Sequence, residues 1–110
     1  NSARLAKKKG SFFKAMKFIL KKMKKKKNRS ATFVCNLSLK GVDGKIISAE
    51  GRLHGKISNK ILGKKGFGYD PIFIPYNQKI TFGQMSKIKK ITMDHRYIAF
   101  EKLKKKTKIL

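Results

Sequence analysis

Gly66-Phe67-Gly68-Tyr69-Asp70-Pro71 brings two glycines, two aromatic rings and a carboxylate into one short stretch. Glycine lets a backbone take positive φ and approach a ligand closely. A phenyl ring offers a flat face for stacking, and a carboxylate accepts hydrogen bonds. Together these types suit a site for a flat ligand with donors on its edge. The same residues also suit a tight turn with Phe67 and Tyr69 packed into a core, and spacing alone leaves both open. Lys64-Lys65-Gly66-Phe67-Gly68 is neither a phosphate-binding P-loop nor a dinucleotide fingerprint. A second group is Lys90 with His95-Arg96, on one expected helical segment and more than a turn apart. Lys90 would contact a phosphate or sugar, and His95-Arg96 would donate to carbonyl oxygens. The plainer alternative pairs Arg96 with Asp94 or a helix carbonyl and leaves His95 on the surface.

The elements that must hold these groups follow from hydrophobic periodicity. Residues 9–27 read as a basic amphipathic helix, with Phe12, Phe13, Met16, Ile19, Leu20 and Met23 on one face. Ser11 or Gly10 would cap it, and the run Lys24–Lys27 would fray its end. Residues 31–39 alternate as a strand, Asp43-Gly44 signals a hairpin turn, and residues 46–56 form the return strand. Gly51 and Gly55 mark bulges or close approaches in it. A loop over 58–65, a short strand Pro71–Pro75, a turn over 76–79 and a helix over 86–110 complete the order. Ser86 is the candidate N-cap of that helix, and Ile88, Ile91, His95, Ile98, Ala99 and Leu103 form its stripe.

The chain has 110 residues, enough for one modest domain or a piece of one. Thirty Lys and Arg against five Asp and Glu give a net charge of +25, which attracts polyanions. Nearly all of this is Lys; Arg occurs only at Arg4, Arg29, Arg52 and Arg96. Lys is a flexible point charge without the planar fork that reads bases, so the excess resembles a general bias more than a nucleic-acid reader. A polybasic nucleic-acid-binding protein is the alternative reading. Against it, the Lys clusters are not interleaved with aromatics as in single-strand binders. A membrane-surface role for the first helix is weaker than packing on a sheet with Lys facing solvent. The lone Cys35 excludes an intrachain disulfide and fits a reducing cytoplasm. No apolar run is long enough to span a bilayer. The chain starts at Asn1 without Met, so a truncated or processed chain is expected.

Gly66-Phe67-Gly68-Tyr69-Asp70-Pro71-Ile72-Phe73-Ile74-Pro75, then Thr81-Phe82-Gly83-Gln84-Met85, Lys90 and His95-Arg96 with Ala99-Phe100 and Leu103, resembles the inosine/xanthosine triphosphate pyrophosphatase family. Upstream, Ser2-Ala3-Arg4, the strand Arg29–Cys35, the Asp43-Gly44 turn and the Gly51/Gly55 pair fall in the same order. The resemblance implies an α/β fold: a twisted mixed β-sheet flanked by helices, with the nucleotide in a cleft between two lobes. It implies hydrolysis of ITP, dITP or XTP to monophosphate and pyrophosphate, with Mg²⁺, in a cytoplasmic homodimer. Carried over by residue, Phe67, Gly68, Tyr69 and Asp70 line the nucleotide pocket, and Phe67 stacks on the purine. Lys90 contacts the nucleotide, and His95 and Arg96 recognise the six-keto oxygen.

Some positions depart from the family pattern. Asp94 stands where the family usually has Ser, Lys89 where it has Glu, and Gln84 replaces an acidic residue. The match begins in the middle of longer family members, so residues 1–110 are expected to be the C-terminal, base-recognising part of one domain. The family's triphosphate loop and its Asp-Asp-Ser-Gly segment have no counterpart here. Asp43, Glu50, Asp70, Asp94 and Glu101 are scattered, with no pair at metal-ligand spacing. No catalytic residue and no metal ligand is assigned, and the chain alone is expected to be inactive or nearly so.

Overall fold

The computed structural model describes residues 2–107. In chain order the elements are α1 (Ser2–Lys9), α2 (Phe12–Met23), β1 (Ser30–Lys40), β2 (Ile46–Ile57), a 3-10 turn (Asp70–Ile72), β3 (Phe73–Pro75), α3 (Lys87–Ile91) and α4 (His95–Thr107). The α/β class is as expected. Among the described residues the sheet order is β1-β2-β3 and both pairings are antiparallel, where a mixed sheet is expected. Tight connection explains the first pairing: Gly44 takes φ 84°, Gly41 N–H donates to the Lys45 carbonyl, and the Asp43 carboxylate accepts from Lys45 N–H. A turn this short can join only antiparallel neighbours.

Register decides which side chains reach the interior. Ser30 pairs with Lys56 and Lys40 with Ile46, with no residue skipped between. Gly51 and Gly55 are therefore not bulges but points of close approach. A Cβ at Gly51 would run into the His95 carbonyl and the Ala99 backbone nitrogen. A Cβ at Gly55 would meet the Ile74 carbonyl and the Phe73 ring. Alternation puts Ala31 and Phe33 of β1 and Leu53 of β2 against the buried cluster Phe73, Phe82 and Met85. Phe33 and Phe73 stack with centroids 3.9 Å apart, and Phe82 lies 5.6 Å from Phe73.

α2 is shorter than its periodicity implies. Ser11, not Gly10, caps it: the Ser11 hydroxyl accepts from Lys14 N–H. Ala15 and Met16 face inward, whereas Phe13 stays half exposed on the flank. Beyond Lys24 the lysine run leaves the helix, as self-repulsion requires. Arg29 then ties the α2 end to the sheet by donating to the carbonyls of Met23, Ile57 and Ser58. α1 is absent from the expected elements, because Ala3, Leu5 and Ala6 are too few to show a helical period. None of the helices is long and apolar enough to cross a membrane, among the described residues.

Two expected elements are corrected. The single helix over 86–110 is two, with Thr92-Met93-Asp94 between them. Ser86 does cap the first, accepting from Lys89 N–H. Asp94 starts the second: its carboxylate accepts from Tyr97 N–H at 2.8 Å and its carbonyl from Ile98 N–H. A short polar side chain that bonds the backbone locally favours a helix start over a helix interior. Residues 108–110 of the expected helix lie outside the described residues. The strand Pro71–Pro75 keeps only Phe73–Pro75, since Asp70–Ile72 coil into a 3-10 turn that carries Pro71.

Gly51→Ala should lower stability by about 1–3 kcal/mol, because the methyl group must displace the backbone at the start of α4. Urea unfolding of the two chains checks this; an unchanged midpoint would show that α4 is not seated on Gly51.

Candidate functional site

The glycine loop is shaped by one carboxylate. Gly66 and Gly68 have φ 74° and 62°, a region that side chains with a Cβ disfavour. Asp70 Oδ2 accepts from Phe67 N–H at 3.0 Å, which closes the loop on itself. Any Cβ on Gly66 would collide with that carboxylate. The loop is also fastened from outside. Gly83 N–H donates to the Asp70 carbonyl, Lys65 N–H to the Gly83 carbonyl, and Leu62 N–H to the Pro71 carbonyl. Thr81 Oγ1 adds a 2.6 Å bond to the Leu62 carbonyl.

The same oxygen of Asp70 meets Lys90 Nζ at 2.6 Å, and both residues are buried, at 2% and 6% exposure. Lys90 is thus held inside the fold, where the ion pair locks α3 to the loop. Such a pair is costly to bury and more costly to break, because the surviving partner is left as an isolated charge.

Phe67 projects outward from this anchor and is 54% exposed. Two cations lie over its ring: Arg96 Cζ at 4.1 Å and Lys90 Nζ at 4.3 Å from the centroid. Tyr69 packs edge-on against Phe12 of α2, with centroids 5.2 Å apart. Burial raises the Tyr69 phenol pKa, so at neutral pH it remains a hydrogen-bond donor. His95 packs its ring on Phe33 at 5.1 Å, and its Nδ1 is buried without a hydrogen-bond partner. Burial, reinforced by Arg96 and Lys90, lowers the His95 pKa against the opposing pull of Asp94 and Asp70. The imidazole is neutral at neutral pH and offers one N–H donor.

Phe67, Gly68, Tyr69, Asp70, His95 and Arg96 border one groove of about 620 Å³, which Phe12 and Phe33 also line. Lys90 does not border it. It lines a neighbouring depression with Gly66, Ile91 and Tyr97, on which Phe67 and Arg96 also border. So the structure gathers the sequence candidates around one ring, but places Lys90 and one oxygen of Asp70 in the support beneath it. Phe12 and Phe33 also line the groove, and sequence reasoning misses them. Phe12 and Phe33 read only as apolar positions of their elements, and their place in the groove is a tertiary fact. Asp94 forms no salt bridge with Arg96; its carboxylate caps α4. Ser and Asp are both strong N-caps, so either type suits this position.

The residues present do not fit a magnesium site. Among the described residues no three His, Cys, Asp or Glu side chains are placed to share an ion. Asp70 is bound by Lys90, Asp94 caps α4, Glu50 pairs with Arg52, Glu101 with Lys104, and Asp43 shapes the hairpin turn. No chemical step is therefore placed on a metal here. The arrangement can stack a flat ring and present donors to its edge.

The model of the Ham1 family matches residues 1–106. The chain is 47% identical over 88 residues to a dITP/XTP pyrophosphatase of Saccharolobus solfataricus, covering 79% of the chain and 45% of that protein. It superposes on the Staphylococcus aureus Ham1 protein with a TM-score of 0.82 and 33% identity, over 89% of the chain and 51% of the other. A HAM1 protein from Coxiella burnetii gives a TM-score of 0.86 and 26% identity, over 99% and 57%. The chain spans somewhat under half the length of the curated relatives it matches.

Asp70→Asn should cost about 3–5 kcal/mol, the range for stranding one partner of a buried pair. Asp70→Asn combined with Lys90→Met should cost less than the two single losses added, which a double-mutant cycle in urea reads directly. His95 yields a pH test. Its pKa is lower folded than unfolded, so its contribution is present above about 6.5 and is lost as pH falls through the folded value. Unfolding midpoints from pH 8 to 5 should fall on the acid side in the native chain and fall less in His95→Gln.

Proposed function

The chain belongs to the Ham1 family, and from that premise we propose that residues 1–110 are the base-recognising part of one nucleoside triphosphate pyrophosphatase domain. The complete enzyme would cleave ITP, dITP or XTP, purine nucleotides outside the normal set, to the monophosphate and pyrophosphate. One observation carries the reading: Phe67, His95 and Arg96, from two separate parts of the chain, border the same groove. A purine stacked on Phe67 would turn its edge to these donors. A six-keto oxygen accepts from them, whereas the amino group of adenine brings another donor and leaves the site unpaired. The neutral imidazole suits this role, since its N–H donates without adding a charge to the groove.

Chemistry at the phosphates needs groups that the described residues do not supply. We place the magnesium ligands and the base that activates water outside this chain, in the remainder of the family domain. Asp70 and Lys90 belong to the proposal as supports that fix the stacking ring, with Lys90 within reach of the nucleotide only across Phe67. The homodimer and cytoplasmic location implied by the resemblance belong to the complete enzyme.

Titration of the chain with ITP and ATP at fixed salt tests the reading. ITP should bind about tenfold more tightly, a gap set by one unpaired buried donor. Arg96→Ala should erase most of the difference, and the chain with Mg²⁺ should release no pyrophosphate from ITP. Equal binding of the two nucleotides, with random DNA bound more tightly and with a steep salt dependence, would instead favour the polybasic reading that the +25 charge supports.

A further inference from the structure

The ring on which the proposed purine stacks already carries two cations, and they differ in freedom. Lys90 is buried and held by Asp70, so it stays where it is whenever the fold is intact. Arg96 is exposed, and among the described residues it makes no salt bridge. It sits in the first turn of α4, where the positive end of the helix dipole disfavours a cation. What holds its guanidinium near the loop is the Phe67 ring, 4.1 Å from Cζ.

We infer that Arg96 sets purine specificity by competing with the ligand for Phe67, in addition to any bond it makes to the base edge. This deepens the purine reading and rests on it. In the free chain Arg96 covers the stacking ring, so the binding-competent state is only a fraction of the population and every flat ligand binds more weakly by that fraction. A base with an oxygen acceptor on the facing edge gives the displaced guanidinium a new partner and offsets the loss. A base without one leaves it with water alone. Discrimination thus has two parts, a penalty common to all flat ligands and a compensation available only to keto purines. Hydrogen bonding alone would make Arg96 helpful to a keto purine, harmful to one that brings a second donor, and neutral to one with only hydrogen at the six position. Competition makes it harmful to a base that it cannot bond.

Binding of inosine and of purine riboside to the 110-residue chain, followed by NMR, separates these. Both nucleosides are uncharged, so loss of the Arg96 charge does not act through phosphate. Purine riboside has nothing at the six position. In Arg96→Ala, inosine should bind more weakly and purine riboside about two- to fivefold more tightly, the size of an exposed cation–π contact. Arg96→Gln should move purine riboside in the same direction while keeping more of the inosine affinity. Circular dichroism and the urea midpoint establish that both variants are folded. If purine riboside binds no better in either variant while the native chain still prefers inosine, the competition is wrong and the purine reading stands. If the native chain binds neither nucleoside, the purine reading fails and this inference falls with it.

Discussion

The buried ion pair between Asp70 and Lys90 is the constraint on which the rest of the site depends. One carboxylate oxygen receives both the Phe67 N–H and the Lys90 ammonium, in surroundings that water scarcely reaches. Removing two charges from water is unfavourable, and the arrangement is sustained because each charge also meets a fixed partner at short range. Its effect is geometric. It closes the glycine loop, joins that loop to α3 twenty residues later in the chain, and aims the Phe67 ring outward. A ring left this exposed cannot take its orientation from its own burial. Its orientation has to come from beneath, and the pair supplies it.

A second constraint comes from what is missing at Gly51, Gly55 and Gly83. At each, a Cβ would strike backbone from another element: α4 at Gly51, the Ile74 carbonyl at Gly55, and the Leu62 carbonyl and Pro71 at Gly83. These contacts let main chain lie directly on main chain. The start of α4 is thereby held against β2, and the Asp94 cap sets the direction in which His95 and Arg96 leave it. The hairpin acts as a rigid seat, and the two donors are referred to it through backbone.

Charge is distributed with the same economy. In a chain of +25, each acidic side chain is engaged in holding a turn, a cap or an ion pair. Most lysines of α1, α2 and α4 remain in solvent, and several lay their ammonium groups over the exposed Phe13 or the half-buried Phe18 ring. Ala15 and Met16 of α2 are buried, whereas its lysines face solvent beside the exposed Phe12 and Phe13. That surface attracts anions in general. The groove differs from it in presenting a ring and neutral or planar donors.

The hairpin was legible in the amino-acid sequence because strict alternation and an Asp-Gly turn are local signals, and the register confirmed them residue by residue. So was the membership of the glycine loop with His95-Arg96, since that pattern of types is rare enough to identify a family. α1 was not legible, because three apolar residues show no period, and the break at Thr92–Asp94 was not, because helix propensity and a capping carboxylate compete and only packing decides between them. The roles within the site were decided last. Sequence placed Asp70, Lys90 and Arg96 together as ligand contacts. Tertiary structure buried the first two as a mutual pair and left the third exposed on Phe67. The physical reason is that a residue's type states what it can bond, whereas burial and distance state which bond it has already made.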